Sequence, residues 1–381
     1  MRGKESERST QRQARERKIR YAVAGLGHLA QVAVLPAFRQ TKNSELVSLI
    51  SGDATKRTEL SREYGIARVG SYDEYEKCLE GADAVYIVVP NDLHKEFTIR
   101  ALAAGVHVLC EKPMAATEQE CRAMMEAARR NGRKLMIAYR LHFEKANLEA
   151  IQVAREGKLG ELRFFSSQFA QQIAPGNIRL ASTSRGGGPV YDMGVYCINA
   201  ARYLFRDEPI EVSAFSASAD DPRFKESEEM TAVTLKFPGE RLANFVCSFG
   251  AADVSRYTLV GTKGVLTADP AYEYSEGLNL QITIEEKTSK RHFPKRDQFA
   301  AEIAYFSDCI LEDKEPEPSG LEGMADIRVV EAVYDSIRSQ RPVKLPELAK
   351  EDRPTMRQEI HRSGHGKPRT VHAKSPSGEA A

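Results

Sequence analysis

Between residues 21 and 138 short apolar runs alternate with stretches whose apolar positions recur at helical spacing. The runs at 21–24, 46–50, 84–89, 106–110 and 134–138 are apolar nearly throughout, the pattern of strands covered on both faces. Helical spacing fills residues 31–40, 56–64, 95–104 and 117–130, the last opened by Thr117. This alternation predicts βαβ units, and right-handed crossovers make them a parallel, doubly wound α/β sheet.

Past residue 138 the period changes. Residues 232–237 and 242–249 flank a turn at Pro238-Gly239, and 256–260 and 264–267 flank Gly261-Thr262-Lys263. Hairpins of this kind predict an α+β domain on a large open mixed or antiparallel sheet. An uncovered sheet face has to bury its apolar side chains, so this face is a candidate oligomer interface. The expected division is a disordered basic tail over 1–18, a nucleotide-binding domain over 19–138, a substrate-binding and oligomerisation domain over 139–346, and a flexible charged tail over 347–381. No internal repeat is visible.

Composition narrows the class. With 381 residues and a net charge of +1 the chain has room for two cores and no electrostatic footprint for nucleic acid or an anionic membrane. No apolar run has the length of a membrane span, and the charged start, residues 1–20, reads as neither signal peptide nor anchor, so a cytoplasmic location is expected. The six cysteines are scattered without metal-ligand spacing; they read as reduced core thiols, with no metal site expected.

Chemistry concentrates where strands end. Gly25-Leu26-Gly27-His28-Leu29-Ala30 fits G-x-G-x-x-A after a strand and before a helix. The first glycine permits the turn, the second lets backbone approach a pyrophosphate, and Ala30 allows close helix packing. After the second strand stand Ser51-Gly52 and then Lys56-Arg57, where an acid would mark NAD; a hydroxyl and two cations suit the 2′-phosphate of NADP. Asp53 argues the other way, since a two-residue shift brings its carboxylate to the ribose.

Pro90-Asn91 with His94 closes another buried strand; Asn91 suits either a cofactor contact or a helix cap, and His94 reads as a helix-start histidine rather than a base. Glu111-Lys112-Pro113 sets a lysine at the carboxyl end of the 106–110 strand, where open α/β sheets bind ligands. Gly186-Gly187-Gly188 precedes Asp192-Met193-Gly194-Val195-Tyr196, in which helical spacing would stack Asp192 and Tyr196 so that the carboxylate helps position the phenol. A free tyrosine, with a pKa of about 10, is a poor base; a lysine ammonium and an oxidised nicotinamide beside it favour phenolate. Lys112 and Tyr196 therefore work together only if the fold brings them close.

Together with Tyr139-Arg140, these motifs resemble the Gfo/Idh/MocA oxidoreductases, and within them the glucose-fructose oxidoreductase branch, over about residues 20–344. Many members of that family carry histidine where this chain has Tyr196. The resemblance implies a Rossmann dinucleotide-binding domain followed by a domain on a large open sheet, a homo-oligomer (dimer or tetramer) made through that sheet, NADP-linked hydride transfer on sugars, Lys112 and Tyr196 as the catalytic pair supported by Asp192, Arg140 and Arg179 near nicotinamide or sugar, and Tyr274 facing the site. It assigns cofactor contacts to Gly25, Leu26, Gly27, His28, Leu29, Ser51, Gly52, Lys56, Arg57, Pro90, Asn91, His94, Glu111, Lys112, Arg140 and Arg179, and substrate contacts to Lys112, Asp192, Tyr196 and Tyr274. The glucose-fructose enzyme carries an export leader and an arm on its partner subunits; this chain begins with a short basic segment instead, and residues 168–185 depart from its pattern. The leading expectation is oxidation of an aldose at C1 to a lactone, with retained NADP reoxidised by a second carbonyl sugar. An NADP(H)-exchanging sugar dehydrogenase is the alternative within the class, and a non-catalytic dinucleotide sensor the alternative outside it.

Overall fold

In the computed structural model, which describes residues 17–378, the alternating region forms one six-stranded parallel sheet. Its strands are β1 (Ile19–Ala24), β2 (Ser44–Ile50), β3 (Arg68–Gly70), β4 (Ala84–Ile87), β5 (His107–Glu111) and β6 (Leu135–Ala138), in the order β3-β2-β1-β4-β5-β6. All pairings are parallel. The order reverses between β1 and β4, and that switch point opens a crevice at the strands' carboxyl ends. Ala22, Val23, Val85 and Leu109 are fully buried, which is why the runs carry almost no polar residues. The helix Glu118–Asn131 starts where the Thr117 hydroxyl accepts the Glu120 N–H at 3.2 Å. The basic tail expected over 1–18 lies outside the described residues save Arg17 and Lys18.

The second sheet has nine strands: β7 (Leu162–Ala170), β8 (Glu211–Ala217), β9 (Met230–Phe237), β10 (Arg241–Ser248), β11 (Val254–Gly261), β12 (Gly264–Ala268), β13 (Leu278–Ile284), β14 (Lys287–Phe293) and β15 (Val343–Lys344). Its order is β14-β13-β12-β11-β7-β10-β9-β8-β15. Only β7 and β10 run parallel, so the sheet is mixed. Along β10, Ala243, Phe245 and Cys247 point into the core while Leu242, Asn244 and Val246 point out. Helices Lys145–Arg155, Val195–Phe205 and Gly320–Ser339 pack against the sheet. Phe164, Phe215, Leu242 and Val246 remain exposed. Among the described residues no helix is long and apolar enough to cross a membrane.

Two features depart from the division drawn from sequence. The helix Gln298–Leu311 returns to the first sheet: Phe299, Ile303 and Phe306 share a core with Ile19, Tyr21 and Leu109, and the Tyr21 and Ser307 hydroxyls lie 2.9 Å apart. A domain boundary at 138/139 therefore separates this helix from the core it completes.

The stretch from 347 onward, expected as a flexible tail, is packed. The Lys350 ammonium lies 2.9 Å from Glu322 and 3.0 Å from Glu317, and the Arg353 guanidinium 2.7 Å from Glu208. Glu208 and Glu322 also meet Arg202, itself fully buried, which pairs with Asp326 as well. A charge run reads as solvated when its partners lie far away in the chain. Buried carboxylates require counter-charges, and the C-terminal segment supplies them.

Candidate active site

The crevice begins at the glycine loop. Gly25 sits at φ +97°, and a Cβ there would meet the Val88 carbonyl oxygen at 2.3 Å, so this turn admits only glycine. At Gly27 a Cβ would meet nothing within 4 Å; it would project into the open groove. That cradle, followed by the helical turn Ala30–Val34, fits a dinucleotide pyrophosphate approached by backbone N–H groups. The groove, about 320 Å³, is lined by Gly25, Leu26, Gly27, His28, Leu29, Ser51, Lys56, Pro90, Asn91, His94, Glu111, Lys112 and Arg179 among the residues singled out from sequence. Tyr72 and Arg185 line it too and carry no sequence signal.

At the end of β2 the polar groups divide their work. Asp53 accepts the Lys56 N–H at 3.1 Å through Oδ1, capping the helix Ala54–Tyr64, while its Oδ2 lies 3.1 Å from His372 Nδ1. Both carboxylate oxygens thus have a partner in the protein, and Asp53 is not among the residues that line the groove. The Lys56 side chain borders the groove. Arg57 turns back, Nη1 donating to the Ser51 carbonyl at 2.5 Å, and neither Arg57 nor Gly52 lines the groove.

The structure brings Lys112 and Tyr196 together. Glu111 ends β5, and the Lys112 ammonium that follows stands 4.6 Å from the centroid of the Tyr196 ring. Lys112 Nζ donates to Asp192 Oδ1 at 3.1 Å and to the Asp192 carbonyl at 2.9 Å; Arg179 Nε donates to Asp192 Oδ2 at 2.8 Å. Arg140 Nη2 donates to the Tyr196 hydroxyl at 3.2 Å, and its guanidinium carbon is 5.1 Å from the ring centroids of both Tyr196 and Tyr274. Arg140, Tyr196 and Tyr274 line an adjoining cleft of about 650 Å³, which shares His28, Leu29, Glu111, Lys112, Arg179 and Asp192 with the nucleotide groove.

Asp192 is not stacked on Tyr196. Val190–Gly194 is a π-helical turn leading into the α-helix Val195–Phe205, and in that wider turn residues four apart no longer overlie. The carboxylate instead fixes Lys112 and Arg179, and Arg140 fixes the phenol. Burial opposes ionisation of Asp192, yet Lys112 and Arg179 hold it well below the usual carboxylate range. For Lys112, burial pulls downward and Tyr196, Asp192 and Glu111 push upward by more, so the ammonium stays charged.

Behind the lysine lies an acid pair. The buried Tyr86 hydroxyl is 2.8 Å from Glu111 Oε1 and 2.6 Å from Glu302 Oε1. One phenol proton serves one carboxylate, so the second bond needs a proton on a carboxyl group. Burial first of all pushes both glutamates upward. The other singled-out residues join the crevice's parts: His94, fully buried, places its ring nitrogens 2.8 Å from the Pro113 and 3.0 Å from the Val89 carbonyl oxygens, and Asn91 Nδ2 donates to the Gly186 carbonyl at 2.7 Å.

A glycine-loop crevice at a switch point, facing a charged lysine against a tyrosine, defines an oxidoreductase of the nicotinamide-dinucleotide class. The chain belongs to the Gfo/Idh/MocA family: residues 19–139 match its oxidoreductase domain with NAD-binding Rossmann fold, and residues 147–267 match its C-terminal domain. It is 31% identical to the D-xylose 1-dehydrogenase [NADP(+)] of Haloarcula marismortui, over 87% of this chain and 94% of that one. Among solved structures, the aldose-aldose oxidoreductase from Caulobacter crescentus complexed with glycerol is 39% identical, with a TM-score of 0.83 over 86% of this chain and 100% of that one. A 3-ketoreductase from Actinomadura kijaniata in complex with NADP and TDP-benzene is 25% identical, with a TM-score of 0.77 over 84% and 98%.

Proposed function

We propose that the protein is an NADP-dependent sugar oxidoreductase that oxidises an aldose at C1 to a lactone. The observation that carries this reading is the Lys112 ammonium 4.6 Å from the Tyr196 ring, at the mouth shared by groove and cleft. Bound nicotinamide supplies the hydride acceptor. Tyr196 takes the hydroxyl proton, its ring beneath the Lys112 ammonium and its oxygen accepting from Arg140. Asp192 holds Lys112 and Arg179 in place. Ser51 and Lys56 receive the 2′-phosphate. Likeness to an NADP(+) xylose dehydrogenase and to an aldose-aldose oxidoreductase supports a sugar substrate.

The second of those relatives favours a retained cofactor, reduced by one aldose and reoxidised by a second carbonyl sugar; the first favours exchange of NADP(H) at each turnover. Denaturing the purified protein and identifying the released nucleotide by mass and absorbance separates them. NADP(H) at near one per chain, reducible by aldose and reoxidisable without added cofactor, is the outcome expected for the retained cycle. A protein isolated empty and active only with free NADP(H) establishes the exchanging dehydrogenase. The exposed apolar residues of the second sheet support a dimer or tetramer through that sheet.

A further inference from the structure

Residues 363–376 wall the substrate-side cleft and then pass the glycine loop to reach the turn after β2, without lining the nucleotide groove itself. They leave the substrate side at a β-bridge between Arg296 and Ser363, beside an Asp297 N–H that donates to the Arg362 carbonyl at 3.1 Å. Gly364, His365, Gly366, Lys367 and Pro368 then form part of the cleft wall together with His28 and Leu29 of the glycine loop. On the nucleotide side the anchor is Gln31, buried to 1% exposure just after that loop. Its Nε2 donates at 2.9 Å to the Val371 carbonyl and at 2.9 Å to the Leu26 carbonyl, and its Oε1 accepts the Val371 N–H at 2.7 Å. Val371 is itself buried in the core of the first sheet. His372 follows on Asp53, at the ribose end of the groove. The segment then returns to the loop beside Arg179, where the Ala174 N–H donates to the Pro376 carbonyl at 2.9 Å.

A solvated tail would make none of these contacts. A single buried amide ties Val371 to Leu26, so the segment and the pyrophosphate-binding turn are held by the same side chain. Lys367 also adds positive charge near His28, where burial, Arg179 and Lys367 together disfavour the imidazolium. We propose that residues 363–376 are a clasp which the chain folds over the glycine-loop end of its dinucleotide groove, at the mouth that groove and cleft share, so that NADP(H) leaves only when the clasp lifts from Gln31 and Asp53. This rests on the reading of the groove as an NADP site.

Two measurements on the full chain test it. NADPH release, followed by fluorescence after mixing the complex with excess NADP, should be at least about tenfold faster in Val371→Asp, which puts a charge into the buried anchor, and faster to a smaller extent in His372→Ala. An unchanged release rate in a folded Val371→Asp protein overturns the clasp. In the unmodified protein, saturating NADP should slow trypsin cleavage after Arg369 and Lys374; equal cleavage with and without bound NADP overturns it even if the variant does not fold. Calorimetry keeps the two levels apart. Absence of NADP binding takes down the cofactor reading and the clasp with it, whereas binding with unchanged release and unprotected cleavage takes down the clasp alone.

Discussion

His372 Nδ1 lies 3.1 Å from Asp53 Oδ2, joining a residue near the end of the chain to the turn that follows the second strand. The contact decides how that turn presents itself to a nucleotide. Asp53 Oδ1 caps the Lys56 N–H and the residue is not among those lining the groove, whereas Lys56 and Ser51 are, the Ser51 hydroxyl accepting the Asp53 N–H at 3.2 Å and keeping its own proton to donate.

Lys56→Ala should therefore weaken NADP binding by about ten- to a hundredfold, the equivalent of roughly 1.5–3 kcal/mol for a charged hydrogen bond, and leave NAD binding nearly unchanged. Arg57→Ala should discriminate less, since that guanidinium is turned to the Ser51 carbonyl. Titration calorimetry with both nucleotides checks the pair, and equal losses for NADP and NAD in Lys56→Ala would remove Lys56 from 2′-phosphate recognition.

Tyr196→Phe should lower single-turnover hydride transfer by about 100- to 10,000-fold while nucleotide affinity changes little. The variant should fold, because Arg140 keeps its bonds to Gln298 and to the Tyr272 carbonyl. Stopped-flow absorbance of the reduced nicotinamide gives the rate; a value within a few-fold of the parent excludes the phenol as proton acceptor.

Asp192→Asn removes the charge that holds both Lys112 and Arg179. Turnover should fall by at least about tenfold, as expected for the loss of a charge-assisted pair, and Asp192→Glu should recover part of it. Steady-state kinetics on the same aldose test this, and an Asn variant with parental turnover would contradict the positioning role.

Burial pushes the Asp326 carboxyl up to about 7, with Arg202 pulling it down and Glu322 pushing it further up. A carboxyl with a raised folded-state value is protonated in the fold where the unfolded chain has already ionised it, so the stability it contributes below about pH 4 is lost progressively up to about pH 7. Relative to Asp326→Asn, the parent should thus lose stability across that window, each pKa unit being worth on the order of 1.4 kcal/mol. Denaturant melts of both proteins at pH 4.5, 6 and 7.5 measure the difference, and a constant gap would refute the assignment.

On the open face of the second sheet Phe164 and Leu242 sit opposite one another on β7 and β10, both more than two-fifths exposed. Replacing both with lysine should convert an oligomer to monomers, since burial of such side chains contributes about 1.5–3 kcal/mol each. Sedimentation velocity reads the change; an unaltered assembly would place the interface elsewhere.

Much of this protein was legible in its order of residues. Apolar runs bounded by Gly25, Pro90 and Lys112 specified a parallel sheet, because a strand covered on both faces leaves almost no place for polar side chains. The same punctuation marked Lys112, since ligand-facing groups cluster where such strands end, and the glycine run at 186–188 marked the Asp192–Tyr196 segment. What the tertiary structure alone decided concerns partners far apart in the chain. Glu302 reaches Tyr86 across 216 positions and His372 reaches Asp53 across 319, and neither has a local periodicity to announce it. Lys350 and Arg353 look like solvated charges until the buried Glu322 and the half-buried Glu208 are found beside them. Local pattern reports which face of an element avoids water. Which distant charge compensates a buried one is set only when the elements pack.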